Sequence, residues 1–358
     1  MSDRPPAPGP DACAGDALSE AIREALRGVM DPELGRDLVS LGMVKEIRVE
    51  AGEADVGIEL TTPACPLKHR IESDVRTAAL AVPGVKDVRV HFTSRPGAGV
   101  QAPSPIAGVR SILAVASAKG GVGKTTVAVN LAVAFARLGL RTGLLDADVF
   151  GPSVPRMLGL SGEPQPGSGE GRLSPPSAHG VKAMSLGLLL DPGQPVIWRG
   201  PMVHQAIQFS LRQIDWGELD VLVVDLPPGT GDVQLSLIQS VPLAGAVLVC
   251  TPQDAAADVS IRGLRLFEIA GVRLLGVVEN MSGYVCPGCG RREEIFAHGG
   301  GQRLAARAGV PLLGCIPLDP AVRAGGDEGK PCVLGAKTSA AEVCEAVARA
   351  LAAALGLG

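Results

Sequence analysis

Ser117-Ala118-Lys119-Gly120-Gly121-Val122-Gly123-Lys124-Thr125-Thr126 is the stretch of this 358-residue chain that decides its fold. The apolar run 112–116 leads into it, and residues 127–132 leave it with apolar side chains at helical spacing. This order predicts a buried strand, a glycine-rich turn and a helix. In such a turn, successive backbone N–H groups point into one concavity at the helix N-terminus, where a phosphate chain binds. The sequence therefore predicts a nucleotide site.

Two side chains of this stretch have expected roles. Lys124 should reach the β- and γ-phosphates of the nucleotide, and Thr125 should offer its hydroxyl to Mg²⁺. The strict phosphate-loop pattern has glycine at the position of Ala118. A methyl group is expected to be tolerated there if Ala118 keeps a negative φ.

The lysine ahead of the two glycines explains the departure. With Lys119 in that place, the segment resembles the deviant Walker A motif, K-G-G-x-G-K-T, of the nitrogenase-iron-protein and partition-ATPase class. The resemblance implies that residues 118–126 hold a nucleotide. It also implies that Lys119 reaches across a dimer interface to the nucleotide of the partner.

Composition limits the possible classes of protein. Apolar residues make up 46% of the chain and aromatic residues only 3%, which suits tightly packed layers of helices and sheet. The net charge of −4 predicts neither a nucleic-acid nor a membrane partner. No signal peptide or spanning segment is apparent, so we expect a cytoplasmic protein. Its eight cysteines are then expected to be thiols or metal ligands.

The chain divides into four parts. Residues 1–15 are predicted to be a disordered tail, 16–93 a small α/β (α+β) domain, and 94–108 a linker. Residues 109–358 are predicted to form a doubly wound α/β domain with a mostly parallel sheet. Its strands are expected near 111–116, 142–146, 181–186, 220–225, 246–251, 273–279 and 312–316. The Gly/Pro/Ser-rich excursion 161–180 is predicted to be a mobile surface loop.

The small domain has elements and motifs of its own. Helices are predicted at 18–29 and 67–82, and strands at 44–49, 54–60 and 85–92. Asp31-Pro32-Glu33, Leu41-Gly42-Met43-Val44 and Thr61-Thr62-Pro63-Ala64-Cys65-Pro66 together resemble a small domain of iron–sulfur assembly factors. Cys65 is either a thiol at a transfer surface or a buried apolar residue.

Carboxylates follow two of the predicted strands of the large domain. Asp225 ends the apolar run 221–224, which is typical of a Walker B carboxylate that holds Mg²⁺ through water. The Pro227-Pro228-Gly229-Thr230-Gly231 turn behind it can move when the γ-phosphate leaves. The resemblance assigns Asp148 of Asp146-Ala147-Asp148-Val149-Phe150-Gly151-Pro152-Ser153 to the attacking water and Asp146 to the metal region. It also assigns Asn280 to the adenine edge, which an amide matches with one donor and one acceptor.

A metal site is indicated by Cys286-Pro287-Gly288-Cys289, because two thiolates at this spacing can face one metal ion. Since no second C-x-x-C exists in the chain, a two-fold dimer that joins two pairs would supply four ligands. The alternatives are a zinc knuckle with His298 or a redox dithiol. Ligand type alone does not separate them.

Together, these motifs and Trp198-Arg199-Gly200-Pro201 resemble the Mrp/ApbC family of iron–sulfur cluster carrier ATPases. The resemblance implies an ATP-hydrolysing homodimer that carries a [4Fe–4S] cluster between its subunits for apo iron–sulfur proteins. Lys119, Lys124 and Asp148 would be its catalytic residues. Two alternatives remain: a partition or cell-division ATPase, and a nitrogenase-type electron donor, whose cluster cysteines are expected far apart.

Overall fold

The structure is a computed structural model that describes residues 10–30, 36–50, 52–60, 68–94, 105–149, 151–168, 171–189, 200–229, 232–253, 258–286, 288–335 and 337–357. The chain forms two compact units, Met1–Gln101 and Ala102–Gly358. The boundary between them falls inside the predicted linker 94–108.

The small unit is a three-stranded sheet with two helices. Its elements are α1 (Pro10–Ala25), β1 (Val44–Glu50), β2 (Glu53–Leu60), α2 (Lys68–Leu80) and β3 (Asp87–Ser94). β2 lies in the middle, antiparallel to β1 and parallel to β3. The core of this unit includes Ile22, Val56, Ile58, Val75 and Val88, all fully buried.

Helix α1 begins earlier than the sequence predicts. It starts at Pro10, inside the predicted tail 1–15, and ends at Ala25, where one 3₁₀ turn (Leu26–Gly28) follows. Proline fits the first turn of a helix because its missing N–H would have no intrahelical partner there. The Pro/Ala/Gly composition of the tail concealed this start.

The large unit alternates strands and helices. Its strands are β4 (Val109–Ala116), β5 (Thr142–Asp146), β6 (Gln165–Pro166), β7 (Leu173–Ser174), β8 (Ser177–Ala178), β9 (Val181–Ser185), β10 (Leu219–Asp225), β11 (Gly245–Cys250), β12 (Leu274–Val285), β13 (Arg292–Glu293) and β14 (Leu312–Leu318). Its helices are α3 (Lys124–Arg137), α4 (Val154–Leu158), α5 (Gly200–Arg212), α6 (Asp232–Ser240), α7 (Asp258–Ile269), α8 (Gly300–Ala308), α9 (Pro320–Glu328) and α10 (Ser339–Ala354).

Nine of the described strands of this unit build one main sheet in the order β13-β12-β11-β4-β10-β5-β9-β8, with β14 also paired to β12. Seven of these strands are parallel, and only β8 and β13 pair antiparallel to their neighbours. β4 lies at the centre between β10 and β11, which follow it much later in the chain. This is the switch point of an open α/β sheet, where ligands bind at the carboxyl ends of the strands.

Both faces of the sheet are covered, as the apolar strands predict. Leu113 and Val115 of β4 pack on one side into a core that contains Leu131 of α3 and Val347 of α10. Alternate residues of the same strand pack on the other side with Phe267 of α7. The predicted doubly wound, mostly parallel fold is confirmed.

The excursion 161–180 contains more secondary structure than the sequence predicts. β6 pairs with β7, and β8 joins the main sheet antiparallel to β9. Two-residue strands among Gly, Pro and Ser leave no periodicity to detect. Among the described residues, no helix has both the length and the apolar character that crossing a membrane requires.

Candidate nucleotide site and cysteine turn

The glycine-rich loop connects β4 to α3 at the centre of the sheet. Gly121 and Gly123 have φ values of 81° and 78°, in the left-handed region that favours glycine. A Cβ at Gly123 would also collide with the side-chain amide of Asn280. The loop therefore needs glycine at 123 both for its backbone conformation and for space.

Lys124 and Asp225 form a buried ion pair at the base of the loop. Lys124 Nζ lies 2.6 Å from Asp225 Oδ1, and Thr125 Oγ1 donates to Asp225 Oδ2 over 2.7 Å. The Lys124 residue is 5% exposed and Asp225 is fully buried. Three of the predicted site residues are thus in direct contact, because β4 and β10 are neighbours.

The donor set at this place fits Mg²⁺. A carboxylate oxygen and a hydroxyl oxygen are hard ligands of the kind that Mg²⁺ prefers. Burial raises the pKa of Asp225, and the ammonium group of Lys124 opposes that rise. The Asp225 carboxylate therefore depends on a cation beside it.

The turn after Asp225 is attached to the glycine-rich loop. Gly229 N–H donates to the carbonyl of Ser117 over 3.1 Å, and Ser117 Oγ donates to the carbonyl of Lys119. A Cβ at Gly120 would lie 4.0 Å from Pro228. The described part of the predicted switch turn, residues 227–229, thus contacts the glycine-rich loop, where the γ-phosphate is expected to bind.

A cavity of about 230 Å³ opens above the loop. Its lining includes residues of the loop from Ser117 to Thr126, together with Asp148, Ser153, Met157 and Pro228. Asp148 Oδ1 is buried and has no hydrogen-bond partner among the described residues. An unpaired carboxylate oxygen at the wall of a phosphate cavity can accept a hydrogen bond from a ligand or a water molecule.

Asp146 differs from Asp148 in its surroundings. Its carboxylate accepts hydrogen bonds from the backbone of Asp148 (3.1 Å) and Val154 (3.2 Å) and from Ser185 Oγ (3.0 Å). Burial, together with the nearby Asp225 carboxylate, raises the pKa of Asp146 to about 7. All three hydrogen-bond donors to this carboxylate belong to the protein itself. The place in the metal region that the resemblance assigns to Asp146 stays a prediction.

The methyl group of Ala118 has a specific neighbour. A Cβ built on Gly263 of α7 would lie 3.3 Å from Ala118 Cβ, which is tighter than most such contacts. Ala118 is not among the described non-glycine residues with positive φ, as its sequence prediction required. Alanine therefore fits at position 118 because position 263 has no side chain.

Asn280 contacts the loop directly. Its Nδ2 donates to the Val122 carbonyl over 2.9 Å, and the residue is 6% exposed. Sequence reasoning assigned this amide to adenine and did not foresee the contact with the loop. The contact with adenine remains a prediction.

β12 connects Asn280 to the cysteine turn through an irregular segment. Between Asn280, opposite Ile316, and Tyr284, opposite Leu318, β12 has two more residues than β14. Met281 and Gly283 within this bulge have φ values of 56° and 71°. Bulges of this kind bend a strand, and here the bend lies between the nucleotide site and Cys286.

Cys286 and Cys289 lie in a tight turn between β12 and β13. The Cys286 sulfur accepts hydrogen bonds from the N–H groups of Gly288 and Cys289 and from the Cys289 thiol, which lowers the pKa of Cys286. Gly290 N–H donates to the Cys286 carbonyl over 2.8 Å. Cys289 is exposed and Cys286 half-buried, so both sulfurs are available to a metal.

The described residues contain no group of three or more His, Cys, Asp or Glu side chains that could hold a metal ion. His298, the ligand considered for a zinc knuckle, lies 3.9 Å from Glu294 instead. The turn therefore offers two thiols of its own.

The remaining cysteines differ in exposure. The apolar runs around Cys250 and Cys315 predict that both lie in the core; Cys250 is buried, but Cys315 is half-exposed. Cys332 and Cys344 are buried and hydrogen-bonded to each other. Residues 31–33, 61–66 with Cys65, Phe150, 198–199 and 230–231 lie outside the described residues, as does the side chain of Cys13.

The mostly parallel α/β sheet, the glycine-rich loop between β4 and α3, and the carboxylates of Asp148 and Asp225 together define a P-loop NTPase. Residues 108–352 match the family model described as NUBPL iron-transfer P-loop NTPase, and residues 19–92 match that of an iron-sulfur cluster assembly protein. The chain belongs to this family of iron-transfer P-loop NTPases, which confirms the resemblance seen in the sequence.

Individual relatives agree with this assignment. The chain is 51% identical to the iron-sulfur cluster carrier protein of Deinococcus radiodurans, over 94% of this chain and 95% of that protein. Identity to the iron-sulfur cluster carrier protein of Synechocystis is 46%, over 93% and 97% of the two chains. The nucleotide-binding protein of Archaeoglobus fulgidus, solved with ADP, is 37% identical with a TM-score of 0.56, over 62% of this chain and 87% of that chain.

Proposed function

We propose that this protein hydrolyses ATP and carries a [4Fe–4S] cluster, held between two copies of the chain, to apo iron–sulfur proteins. The observation that carries the proposal is the Cys286/Cys289 turn. It presents two accessible thiols without a third ligand among the described residues. A [4Fe–4S] cluster takes four thiolates, and a two-fold axis would supply the second pair.

The surface around the turn supports a dimer. Val285, next to Cys286, is 47% exposed, and Ile295 is 52% exposed. Exposed apolar side chains beside a ligand pair suit a surface that meets a second copy. Lys119 is exposed as well, which is consistent with its predicted role at the nucleotide of the partner subunit.

Each residue of the nucleotide site has a place in the proposed hydrolysis. Lys124 binds the β- and γ-phosphates, and Thr125 and Asp225 hold Mg²⁺, which neutralises phosphate charge when bound. Asp148 orients a water molecule through its unpaired carboxylate oxygen. Attack of that water on the γ-phosphorus breaks the bond to the β-phosphate oxygen and yields ADP, phosphate and a proton. The family match and the cysteine turn favour this function over that of a positioning ATPase.

The cluster is tested by purification without oxygen, followed by iron, sulfide and zinc analysis and Mössbauer spectroscopy. About four iron and four sulfide per dimer are expected, and loss of both in Cys286→Ala and Cys289→Ala. Cys315→Ala, which removes a half-exposed thiol outside the turn, is the matched control and should keep the cluster. Stoichiometric zinc that survives reconstitution with iron and sulfide would contradict the proposal.

Hydrolysis and transfer need separate assays. Phosphate release should be lost in Lys124→Ala and strongly reduced, but still measurable, in Asp148→Asn. Transfer is followed by activation of an apo-[4Fe–4S] enzyme incubated with the loaded carrier. If the cluster-loaded protein never activates the enzyme, the result would still agree with the proposed cluster site but would contradict the proposed carrier role.

A further inference from the structure

The carboxylate of Asp146 bridges the two ends of the loop that contains Asp148. Asp146 is the last residue of β5, and Val154 is the first residue of α4. One carboxylate oxygen accepts from Asp148 N–H and the other from Val154 N–H. A single side chain thus fixes both ends of the connection between strand and helix.

This connection forms part of the nucleotide cavity. Asp148 and Ser153 line the cavity beside Lys124 and Thr125. Asp148 lies two residues after Asp146, so the direction of its side chain depends on the backbone that Asp146 holds. The Oδ1 atom of Asp148 is buried without a partner among the described residues, and the backbone therefore decides where that oxygen points.

Ser185 holds Asp146 from the neighbouring strand. β5 and β9 are parallel, and Asp146 lies opposite Ser185 in their register. Ser185 is fully buried, and its Oγ accepts from Gly187 N–H over 3.2 Å. Because a hydroxyl has one proton, this directs the proton toward Asp146 Oδ2, 3.0 Å away.

These contacts leave Asp146 little capacity for a metal ion. Its Oδ2 already accepts two hydrogen bonds, from Val154 and Ser185, which matches the two lone pairs of a carboxylate oxygen. Its Oδ1 accepts one from Asp148. Asp225, by contrast, faces Lys124 and Thr125 of the loop.

We propose that Asp146 and Ser185 are positioning residues for hydrolysis: they hold the 147–153 loop so that Asp148 is aimed at the attacking water. Asp146 is then not part of the magnesium site. This inference rests on the proposed function, because it assigns the water to Asp148. Ser185 has no role in any motif of the sequence, and only the sheet register brings it to this place.

The first test compares Ser185→Ala and Asp146→Asn with the wild type in ATP hydrolysis. Ser185→Ala should lower kcat three- to ten-fold and Asp146→Asn ten- to a hundred-fold, because an amide cannot accept at both positions. The dissociation constant of a non-hydrolysable ATP analogue and the Mg²⁺ concentration for half-maximal rate should each stay within two-fold. Ser210→Ala removes another buried serine hydroxyl, which donates to Ala206 within α5, and should leave kcat unchanged.

A second measurement needs no nucleotide. Hydrogen–deuterium exchange of peptides that cover residues 147–154 should be at least ten-fold faster in Asp146→Asn, since the amide side chain can accept from only one of the two N–H groups, those of Asp148 and Val154, that the carboxylate holds. In a single-turnover assay, adding Asp146→Asn to Asp148→Asn should cause no further loss, because Asp146 acts through Asp148.

The outcomes separate the two proposals. A ten-fold rise in the Mg²⁺ requirement of Asp146→Asn, or wild-type kcat in both Asp146→Asn and Ser185→Ala, would overturn the positioning role. Unchanged exchange in residues 147–154 would overturn it as well. Wild-type kcat in Asp148→Asn would instead remove the proposed role of Asp148, while faster exchange in Asp146→Asn would still show that Asp146 holds the loop.

Discussion

The side-chain amide of Asn280 donates to the carbonyl of Val122 over 2.9 Å, across 158 residues of sequence. Val122 lies between Gly121 and Gly123, whose positive φ values shape the phosphate loop. β12 thereby supports the loop from the side. The same strand continues through its bulge to Cys286, so one element contacts both the nucleotide loop and the cysteine turn.

Asn280→Ala should weaken nucleotide binding because the loop loses this support. A neutral hydrogen bond contributes about 0.5–1.5 kcal/mol, which predicts roughly two- to ten-fold weaker binding of ATP. Tripolyphosphate, which has no base, should lose the same factor if the effect acts through the loop. Isothermal titration of both ligands measures it. Equal binding of tripolyphosphate by wild type and variant would assign Asn280 to the base alone.

The two lysines of the loop should differ in their contribution to stability. Lys124→Ala leaves the fully buried Asp225 carboxylate without its cation, and removing one partner of a buried pair costs about 3–5 kcal/mol. Lys119 is exposed, so Lys119→Ala should change the free energy of unfolding by less than about 0.5 kcal/mol. Both variants should lose ATP hydrolysis. Urea unfolding and phosphate release check the two properties.

The cost of Lys124→Ala should also depend on pH. Burial raises the pKa of Asp225, and loss of the lysine raises it further. As pH falls through that raised pKa, the carboxyl becomes neutral and no longer needs a cation. The difference in stability between wild type and variant should therefore shrink toward acid pH. A difference that stays constant from pH 8 down to the ordinary carboxyl pKa of 3.8 would contradict this account.

Much of the fold could be predicted because its strands are buried on both faces. Runs such as 111–116 and 220–225 are continuous apolar segments, and the structure places β4 and β10 within two residues of them. β12 is the exception. It extends to Val285, six residues beyond its predicted end, because Met281 and Gly283 form a bulge that interrupts the apolar pattern without ending the strand.

Residues of the candidate site could be predicted only where they belong to a recognisable sequence motif. Lys124, Thr125 and Asp225 follow from the loop and the strand end, and they contact one another. The partners of Asp146 do not follow, since two are backbone N–H groups and the third, Ser185, lies 39 residues away. A hydrogen bond between neighbouring strands depends on their register, which no local pattern in this chain records.

The fit between Ala118 and Gly263 predicts a pair of compensating substitutions. Gly263→Ala places a second methyl group 3.3 Å from Ala118 Cβ, so α7 or the loop must shift. Overpacking of this kind typically costs 1–3 kcal/mol, and about ten-fold weaker ATP binding is expected. Ala118→Gly alone should be nearly neutral, because Ala118 does not have a positive φ.

The double variant decides whether the two positions interact. Ala118→Gly combined with Gly263→Ala should recover most of the lost affinity, since the two methyl groups no longer meet. A double-mutant cycle on ATP affinity measures the coupling. Additive losses would mean that Gly263→Ala acts through α7 itself and not through the contact with the loop.

The hydrogen bonds at the cysteine turn predict a difference in reactivity between two neighbouring thiols. The N–H groups of Gly288 and Cys289 and the Cys289 thiol stabilise the Cys286 thiolate, which lowers its pKa from the ordinary value of 9.0.

In the cluster-free protein, iodoacetamide should therefore alkylate Cys286 faster than Cys315, whose pKa is raised by burial and by the nearby Glu279. The advantage of Cys286 should be present at neutral pH and should shrink as the pH rises far enough for the Cys315 thiol to ionise as well. Mass spectrometry of the labelled peptides over a pH series measures both rates. Cys289→Ala keeps the backbone N–H donors of the turn but removes the thiol donor, so it should slow alkylation of Cys286 at pH 7 without abolishing it. Equal rates at Cys286 and Cys315 throughout the series would show that the turn does not activate its first thiol.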